Sequence, residues 1–269
     1  MNPCPIVDGN TVYLCCMNAH VKARMHHRHL WLRSDDDGCT WSEPAVLDEH
    51  IVSYDDTFVP GPGLGLRTRG GRLIIPGYTN VFTDDGSRPA SYSRVLYSDN
   101  GGLSWQLGQP VGSATSNESQ VVELTDGALL INWREQNHLN PSAHRGCRGT
   151  AVSRDGGETW SAPVFAEELN EAPCQAGFVR YSWVDTGGKS RLLFSTPDAL
   201  PGTGERTKMT IRMSYDDGQS WPVKRLIHAG PTAYSCPARL PDGGIGLLYE
   251  CGEQWRYERI RLAQFSLEW

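Results

Sequence analysis

The chain has 269 residues, of which 39% are apolar and 21% charged, so it can bury a sizeable core and is neither disordered nor fibrous. Its 29 glycines and 17 prolines are scattered rather than periodic, which excludes a collagen-like repeat and suits many tight turns. The net charge of -6 at pH 7 argues against a nucleic-acid-binding protein, which needs a basic face.

The N-terminal segment, Met1-Asn2-Pro3-Cys4-Pro5, has no basic stretch followed by an apolar run, and no window of the chain is apolar enough for a membrane span. As the sequence is written, we therefore expect a cytoplasmic protein. The 8 cysteines contain no CxxC pair, so we expect reduced, mostly structural thiols rather than a disulfide framework.

A short motif, Ser-x-Asp-x-Gly-x-Thr-Trp with small variations, occurs four times and is called the box motif below. It occupies residues 34–41, 98–105, 153–160 and 214–221, and successive copies are 64, 55 and 61 residues apart. Its glycine supplies the positive φ of a turn, and its Ser and Asp oxygens can accept hydrogen bonds from free backbone N–H groups. We interpret the motif as structural, with its Trp packed between sheets. Calcium binding is the alternative, and each copy offers only one or two carboxylates for it.

A second feature, a glycine-containing turn followed by an apolar run, occurs five times. The turns lie at Gly9, Gly71, Gly127, Gly188 and Gly243, which are 62, 56, 61 and 55 residues apart. Both features share a period of about 60 residues, so the chain holds five repeats, the last without a box motif. Short strands between turns predict an all-β fold, and radially repeated units of this length predict a β-propeller of four-stranded blades.

Equivalent positions of the five repeats should converge at one end of the propeller, because the innermost strands line its channel. We expect the apolar runs to be these strands. The seventh residue after each turn glycine is Cys16, Tyr78, Arg134, Ser195 and Glu250 in turn. Their variety favours a functional site built across blades, although solvent exposure at strand ends allows the same variety.

Several segments, in their order along the chain, resemble one known family. They are residues 60–63, 76–78, 117–120, 129–134, 174–175, 206–214, 233–236 and 248–250, together with the four box motifs. The set resembles the exo-α-sialidases, glycoside hydrolases with a six-bladed propeller and Asp-box repeats. The resemblance covers nearly the whole chain and implies about five blades here.

The resemblance implies roles for particular side chains. Tyr234 is similar to the family's catalytic nucleophile, and Glu118 to the glutamate that partners it. Arg134 and Arg206 are similar to the second and third arginines of a triad that binds the substrate carboxylate, and Glu250 to the glutamate that supports this triad. The substrate-binding residues implied in the same way are Tyr78, Gln175 and Asn2.

The chemistry suits these residue types. The anomeric carbon of sialic acid bears a carboxylate that would repel a carboxylate nucleophile, and sialidases accordingly use a tyrosine. A phenol has a pKa near 10, so Tyr234 needs a base beside it. An arginine fork makes paired, charge-assisted hydrogen bonds with a carboxylate.

Two elements of the family precede the segment that begins at Asn2. They are a strand carrying Arg-Ile-Pro, with the first triad arginine, and the acid/base aspartate. The resemblance therefore implies one sialidase-like propeller domain over residues 1–269 that lacks about one blade and two catalytic residues. A misplaced start codon, a truncated gene or a real loss of catalysis would each produce this. We expect the open blade edges to favour self-association.

Other chemical readings have less support. His20, His26, His27 and His29 lie close together, but their spacing matches no ligand pattern, so we expect a solvated loop or strand edge rather than a metal site. Asp55 and Asp56 could replace the absent acid, but nothing in their spacing supports this. We expect no metal and no cofactor.

The sequence therefore predicts an exo-α-sialidase that releases terminal sialic acid from glycans with retention, through a covalent intermediate on Tyr234. Two alternatives remain open. One is a catalytically inactive propeller that binds sialic acid, and the other is an interaction scaffold that keeps only the box motifs.

Overall fold

The computed structural model describes residues 2–18, 28–47, 56–81, 83, 90–135, 146–184, 188–199 and 204–269. In these residues, every regular secondary-structure element is a β-strand. The strands are β1 (Cys4–Asp8), β2 (Thr11–Asn18), β3 (Arg28–Ser34), β4 (Ala45–Val46), β5 (Asp56–Pro60), β6 (Leu66–Arg67), β7 (Leu73–Val81), β8 (Ala90–Ser98), β9 (Gln106–Leu107), β10 (Ser116–Glu123), β11 (Leu129–Glu135), β12 (Cys147–Ser153), β13 (Val164–Asn170), β14 (Gly177–Ser182), β15 (Arg191–Pro197), β16 (Thr207–Ser214), β17 (Val223–Arg239), β18 (Ile245–Cys251) and β19 (Arg259–Phe265).

The strands form antiparallel sheets in chain order, which confirms the all-β propeller. Sheet 1 has the order β1-β2-β3-β4, sheet 2 the order β5-β7-β8-β9 with β6 paired to β7, and sheet 3 the order β10-β11-β12-β13. Sheet 4 has six strands, in the order β14-β15-β16-β17-β18-β19. The five predicted repeats occupy four sheets because β17 belongs to two repeats. Its first half pairs with β16, and its second half pairs with β18.

The cores lie between successive sheets. Cys4, Tyr13 and Trp31 of sheet 1 pack with Phe58 and Leu73 of sheet 2. Comparable apolar clusters join sheet 2 to sheet 3 and sheet 3 to sheet 4. The strands are short and twisted, so face-to-face packing of this kind buries both faces of each inner blade and leaves the turns at the surface.

The box motifs form the turns between the third and fourth strands of their sheets. In the first copy, the Ser34 hydroxyl accepts a hydrogen bond from the Gly38 N–H at 2.8 Å, and Asp36 Oδ1 accepts one from the Thr40 N–H at 2.8 Å. Hydrogen bonds from Thr40 lower the pKa of Asp36 to about 2. The other three copies repeat this bonding, with Asn100 replacing Asp in the second. Their structural role is therefore confirmed.

The tryptophans of the box motifs show which sheet faces are covered. Trp105, Trp160 and Trp221 pack between successive sheets, as predicted. Trp41 is different, because no described sheet lies on the far side of sheet 1, and it stays 41% exposed. On the last strands, Leu248, Ile260 and Leu262 are exposed on one face of sheet 4. The described structure thus leaves two apolar faces uncovered.

The apolar runs form the second strands of the repeats, not the innermost strands that we expected. A cavity of about 340 Å³ is lined by β1, β10, β14 and the second half of β17, the first strands of their repeats, together with β6. The residues at the seventh position therefore lie one strand further out than we expected. All 8 cysteines are free thiols in the structure.

Candidate active site

The segment that carries Tyr234 is fixed by three sets of hydrogen bonds. The register between β17 and β18 shifts between Thr232 and Ser235, and such an irregularity re-aims the side chains beside it. The Tyr234 N–H donates to Glu250 Oε2 at 3.0 Å. The Gln175 amide accepts from the Ser235 N–H at 3.1 Å and donates to the Ser235 carbonyl at 3.1 Å. The Ser195 and Ser235 hydroxyls lie 2.8 Å apart. The backbone around Tyr234 is therefore held in place before any ligand binds.

Glu118 joins two strands that are distant in sequence. It lies on β10 where the pairing with β11 shifts between Ser116 and Ser119, and its side chain is buried. Its Oε1 accepts a hydrogen bond from the Tyr234 hydroxyl. Its Oε2 accepts one from Arg134 Nη1 at 2.6 Å. The structure thus brings Tyr234, Glu118 and Arg134 together as one hydrogen-bonded chain.

The electrostatics of this chain keep Tyr234 protonated in the free protein. Burial, followed by the negative charge of Glu118, raises the pKa of Tyr234 well above its ordinary value. The proton therefore stays on the phenol until an event at the site makes its transfer to Glu118 favourable. Burial acts to lower the pKa of Arg134, but the neighbouring Glu118 carboxylate outweighs it and the net pKa is raised. Arg134 therefore remains a cation.

Arg134 and Arg206 flank the tyrosine. In the part of the chain that the structure describes, the buried Nε of Arg134 has no hydrogen-bond partner. The Arg206 guanidinium carbon lies 5.8 Å from the centroid of the Tyr234 ring, and its Nη1 donates to the Tyr257 hydroxyl at 2.8 Å. Its Nη2 donates to the Pro173 carbonyl. Two guanidinium groups beside one phenol form an anion-binding environment.

The structure places the remaining predicted site residues as follows. Glu250 holds the backbone of Tyr234 and, among the described residues, forms no ion pair with Arg134 or Arg206. Gln175 is buried and holds Ser235. Tyr78 is half-buried on β7, opposite Val59 and Ser93. Asn2 is half-buried with a φ of 53°. Substrate contacts by these residues stay a prediction.

A cavity of about 270 Å³ adjoins Tyr234 on the uncovered side of sheet 4. Its lining is mainly apolar and includes Pro3 and Pro5 at the start of the chain, residues 62–64, and Leu248 and Ile260 of sheet 4. Neither Arg134 nor Arg206 lines it. An acidic ligand would therefore place its charge on the arginine side of Tyr234 and not in this cavity.

Sequence reasoning missed a buried ion pair behind the site. Arg148 Nη1 and Glu171 Oε2 are 3.1 Å apart, and both side chains are almost fully buried. Arg148 also donates to Asn132 Oδ1 at 2.8 Å and to the Cys174 carbonyl at 3.0 Å. It therefore fixes the segment 171–175, which supplies the carbonyl that anchors Arg206 and the amide that holds Ser235. Arg148 lies in none of the sequence motifs described above, so the sequence does not indicate its structural role.

Glu171 gives the protein a pH-dependent stability. Burial raises its pKa to about 7, with Arg148 and Arg134 opposing the shift. Between its ordinary pKa of 4.5 and about 7, the folded state holds a proton that the unfolded state releases. The free energy of unfolding should therefore fall by about 3 kcal/mol as the pH rises through this window.

We expect Glu171→Gln to remove this decline, because glutamine has no proton to lose. The measurement is urea unfolding from pH 4.5 to 7.5, and the slope against pH is compared with that of wild type. Glu167→Gln is the matched control, since Glu167 is exposed on β13, the strand that ends just before Glu171. Equal slopes for wild type and Glu171→Gln would contradict the assignment.

Three of the clustered histidines, His20, His26 and His27, lie outside the described residues. His29 is buried, and its Nε2 lies 2.7 Å from the Phe58 carbonyl, so it joins sheet 1 to sheet 2. Asp55 also lies outside the described residues, and Asp56 begins β5 opposite Val81. In the described parts of the chain, no helix is long and apolar enough to cross a membrane.

Antiparallel sheets that pack in succession, with a box motif in each of four repeats, define a β-propeller. Residues 1–248 match the family described as "BNR repeat-like domain", and the chain belongs to this family. Curated relatives carry sialidase names. The sialidase of Micromonospora viridifaciens is 35% identical over 246 residues, covering 88% of this chain and 35% of that protein. Human Sialidase-3 is 26% identical over 330 residues, covering 99% of this chain and 74% of that protein.

The fold comparison agrees with the sequence comparison. The structure of "Hadza microbial sialidase Hz136" superposes with a TM-score of 0.80 at 26% identity, covering 99% of this chain and 52% of that one. An intramolecular trans-sialidase from Ruminococcus gnavus gives a TM-score of 0.71, also at 26% identity, and covers 90% of this chain and 51% of that one. The chain thus spans about a third of the Micromonospora relative and about half of each of these two solved chains.

Proposed function

We propose that the protein is an exo-α-sialidase that cleaves terminal α-linked sialic acids from glycans and retains the anomeric configuration. The observation that carries this proposal is the hydrogen-bonded chain Tyr234–Glu118–Arg134, with Arg206 over the Tyr234 ring. It combines a nucleophile, a base and two cations for a substrate carboxylate. The sialidase names of its relatives support the same reaction class.

In the proposed mechanism, the substrate carboxylate binds to Arg134 and Arg206. Arg134 is then shared between the substrate and Glu118, which weakens its hold on Glu118 and makes that carboxylate a stronger base. Glu118 accepts the Tyr234 proton as the phenolic oxygen attacks the anomeric carbon, and the leaving oxygen departs with the bonding electrons and takes a proton from solvent. Water then attacks the anomeric carbon of the glycosyl-tyrosine and loses one proton to solvent, while the proton on Glu118 returns to the Tyr234 oxygen as that bond breaks.

The direct test is to incubate an aryl α-sialoside with the 269-residue chain and to monitor its hydrolysis by proton NMR as it proceeds. An aryl leaving group needs little protonation, so turnover depends mainly on the nucleophile and the arginines. We expect the α-anomer of free sialic acid to appear first, as retention requires. Saturable binding without turnover would favour the inactive binding propeller. Absence of both would favour the interaction scaffold.

A further inference from the structure

The segment 252–258, between β18 and β19, is a tightly organised loop, called the rim loop below. The Glu258 carboxylate accepts hydrogen bonds from the N–H groups of Glu253, Gln254 and Trp255 at 2.9, 2.9 and 2.7 Å. These bonds lower the pKa of Glu258. A Cβ on Gly252 would lie only 1.8 Å from the Trp255 carbonyl oxygen, so the turn requires glycine at this position. The rim loop therefore holds a fixed shape.

This fixed loop exposes two aromatic rings. Trp255 is 54% exposed and Tyr257 is 46% exposed. Their ring centroids are 5.4 Å apart with planes at 77°, which is an edge-to-face pair. The Arg256 guanidinium lies 4.6 Å from the Trp255 ring centroid and 5.4 Å from that of Tyr257. An aromatic pair held rigid in water at this exposure is typical of a binding surface.

The rim loop adjoins the candidate active site. The Tyr257 hydroxyl accepts the hydrogen bond from Arg206, and Arg206 lies over the Tyr234 ring. A ligand whose carboxylate reaches Arg206 therefore has Trp255 and Tyr257 beside it. The group linked to the anomeric carbon must extend away from Tyr234, because the nucleophile attacks from the opposite side.

We propose that Trp255 and Tyr257 bind the neutral sugar to which the sialic acid is linked. The C–H face of a pyranose ring is apolar and stacks on an aromatic face, while the Arg256 guanidinium supplies donors for its hydroxyl groups. Trp255 acts as a specificity residue that favours glycosidic substrates over sialosides with a small leaving group. This inference rests on the proposed function, since it assigns the leaving-group side of that site.

The test compares the dissociation constants of 3′-sialyllactose and methyl α-sialoside by NMR titration of the full chain carrying Tyr234→Phe, because the proposed mechanism requires the Tyr234 hydroxyl for cleavage of either ligand. The first ligand has a sugar next to the sialic acid, and the second does not. We expect Trp255→Ala to weaken 3′-sialyllactose about tenfold and methyl α-sialoside less than twofold. Trp255→Phe keeps an aromatic face and should retain most of the preference. Trp41→Ala is the matched control, because it removes another exposed Trp at a remote box motif.

The outcomes separate the two proposals. If the Tyr234→Phe parent binds methyl α-sialoside and adding Trp255→Ala weakens both ligands equally, or neither, the rim-loop inference is wrong and the proposed function stands. If the parent binds neither sialoside, the proposed function fails and the rim-loop inference fails with it. A selective loss that Trp255→Phe reverses supports the inference and excludes a merely structural role for the ring.

Discussion

Tyr234→Phe is expected to abolish hydrolysis of an aryl α-sialoside, with a loss in kcat of at least about 10³-fold. The substitution removes one oxygen, and that oxygen is both the proposed nucleophile and the donor to Glu118. The ring stays, so packing and the position of Arg206 over it are conserved. Binding of sialic acid, measured by titration, should change by less than about threefold, because the two arginines are intact.

Glu118→Gln tests the base in the same assay. Glutamine can still accept a hydrogen bond from Arg134 but cannot take the phenolic proton, so kcat should fall by about 10² to 10⁴-fold. Tyr97→Phe is the matched control for Tyr234→Phe. It also removes one tyrosine hydroxyl, but this hydroxyl is hydrogen-bonded to Gln106 in sheet 2. Full activity of Tyr234→Phe would exclude the tyrosine mechanism, and equal losses in Tyr97→Phe would point to general destabilisation.

The repeats account for most of what the sequence could predict. Each box motif contains its own acceptors and donors within eight residues, so its geometry follows from local chemistry and recurs wherever the residues recur. The repeat spacing likewise predicted the all-β propeller, but it did not show that the apolar runs form the second strands of the repeats. The exposure of Trp41 was not predictable, because it depends on which sheet lies across from it and not on its own motif.

The site was predictable only in part. Arg134 and Glu250 share a repeat position, and the structure places both beside the Tyr234 segment, on strands β11 and β18. The bond between Tyr234 and Glu118 joins residues 116 positions apart, and no spacing rule reveals such a contact. The resemblance supplied that pairing. Gln175 was expected to meet the substrate, and the structure adds its hydrogen bonds to the backbone of Ser235.

Arg148→Met is expected to reduce the free energy of unfolding by about 2 to 3 kcal/mol more at pH 9 than at pH 5. Burial has raised the pKa of Glu171 to about 7, so only at the higher pH does the variant leave a buried carboxylate without its cation. Methionine keeps much of the volume of the arginine stem, so cavity formation is a minor part of the loss. The variant also releases the Cys174 carbonyl and Asn132. The segment that anchors Arg206 and Ser235 should therefore loosen, and activity should fall together with stability.

The double variant Arg148→Met/Glu171→Gln separates charge from packing. With no carboxylate left to bury, it should recover most of this pH-dependent loss in urea unfolding at pH 9. The same logic predicts a smaller loss for Arg148→Met alone at pH 5, where Glu171 is protonated, since burial has raised its pKa to about 7. Equal losses for the single and double variants, or a loss independent of pH, would show that Arg148 stabilises through packing and its other hydrogen bonds. Recovery in the double variant, together with a pH-dependent loss in the single variant, would show that the Arg148–Glu171 ion pair fixes the segment 171–175 beneath the candidate active site.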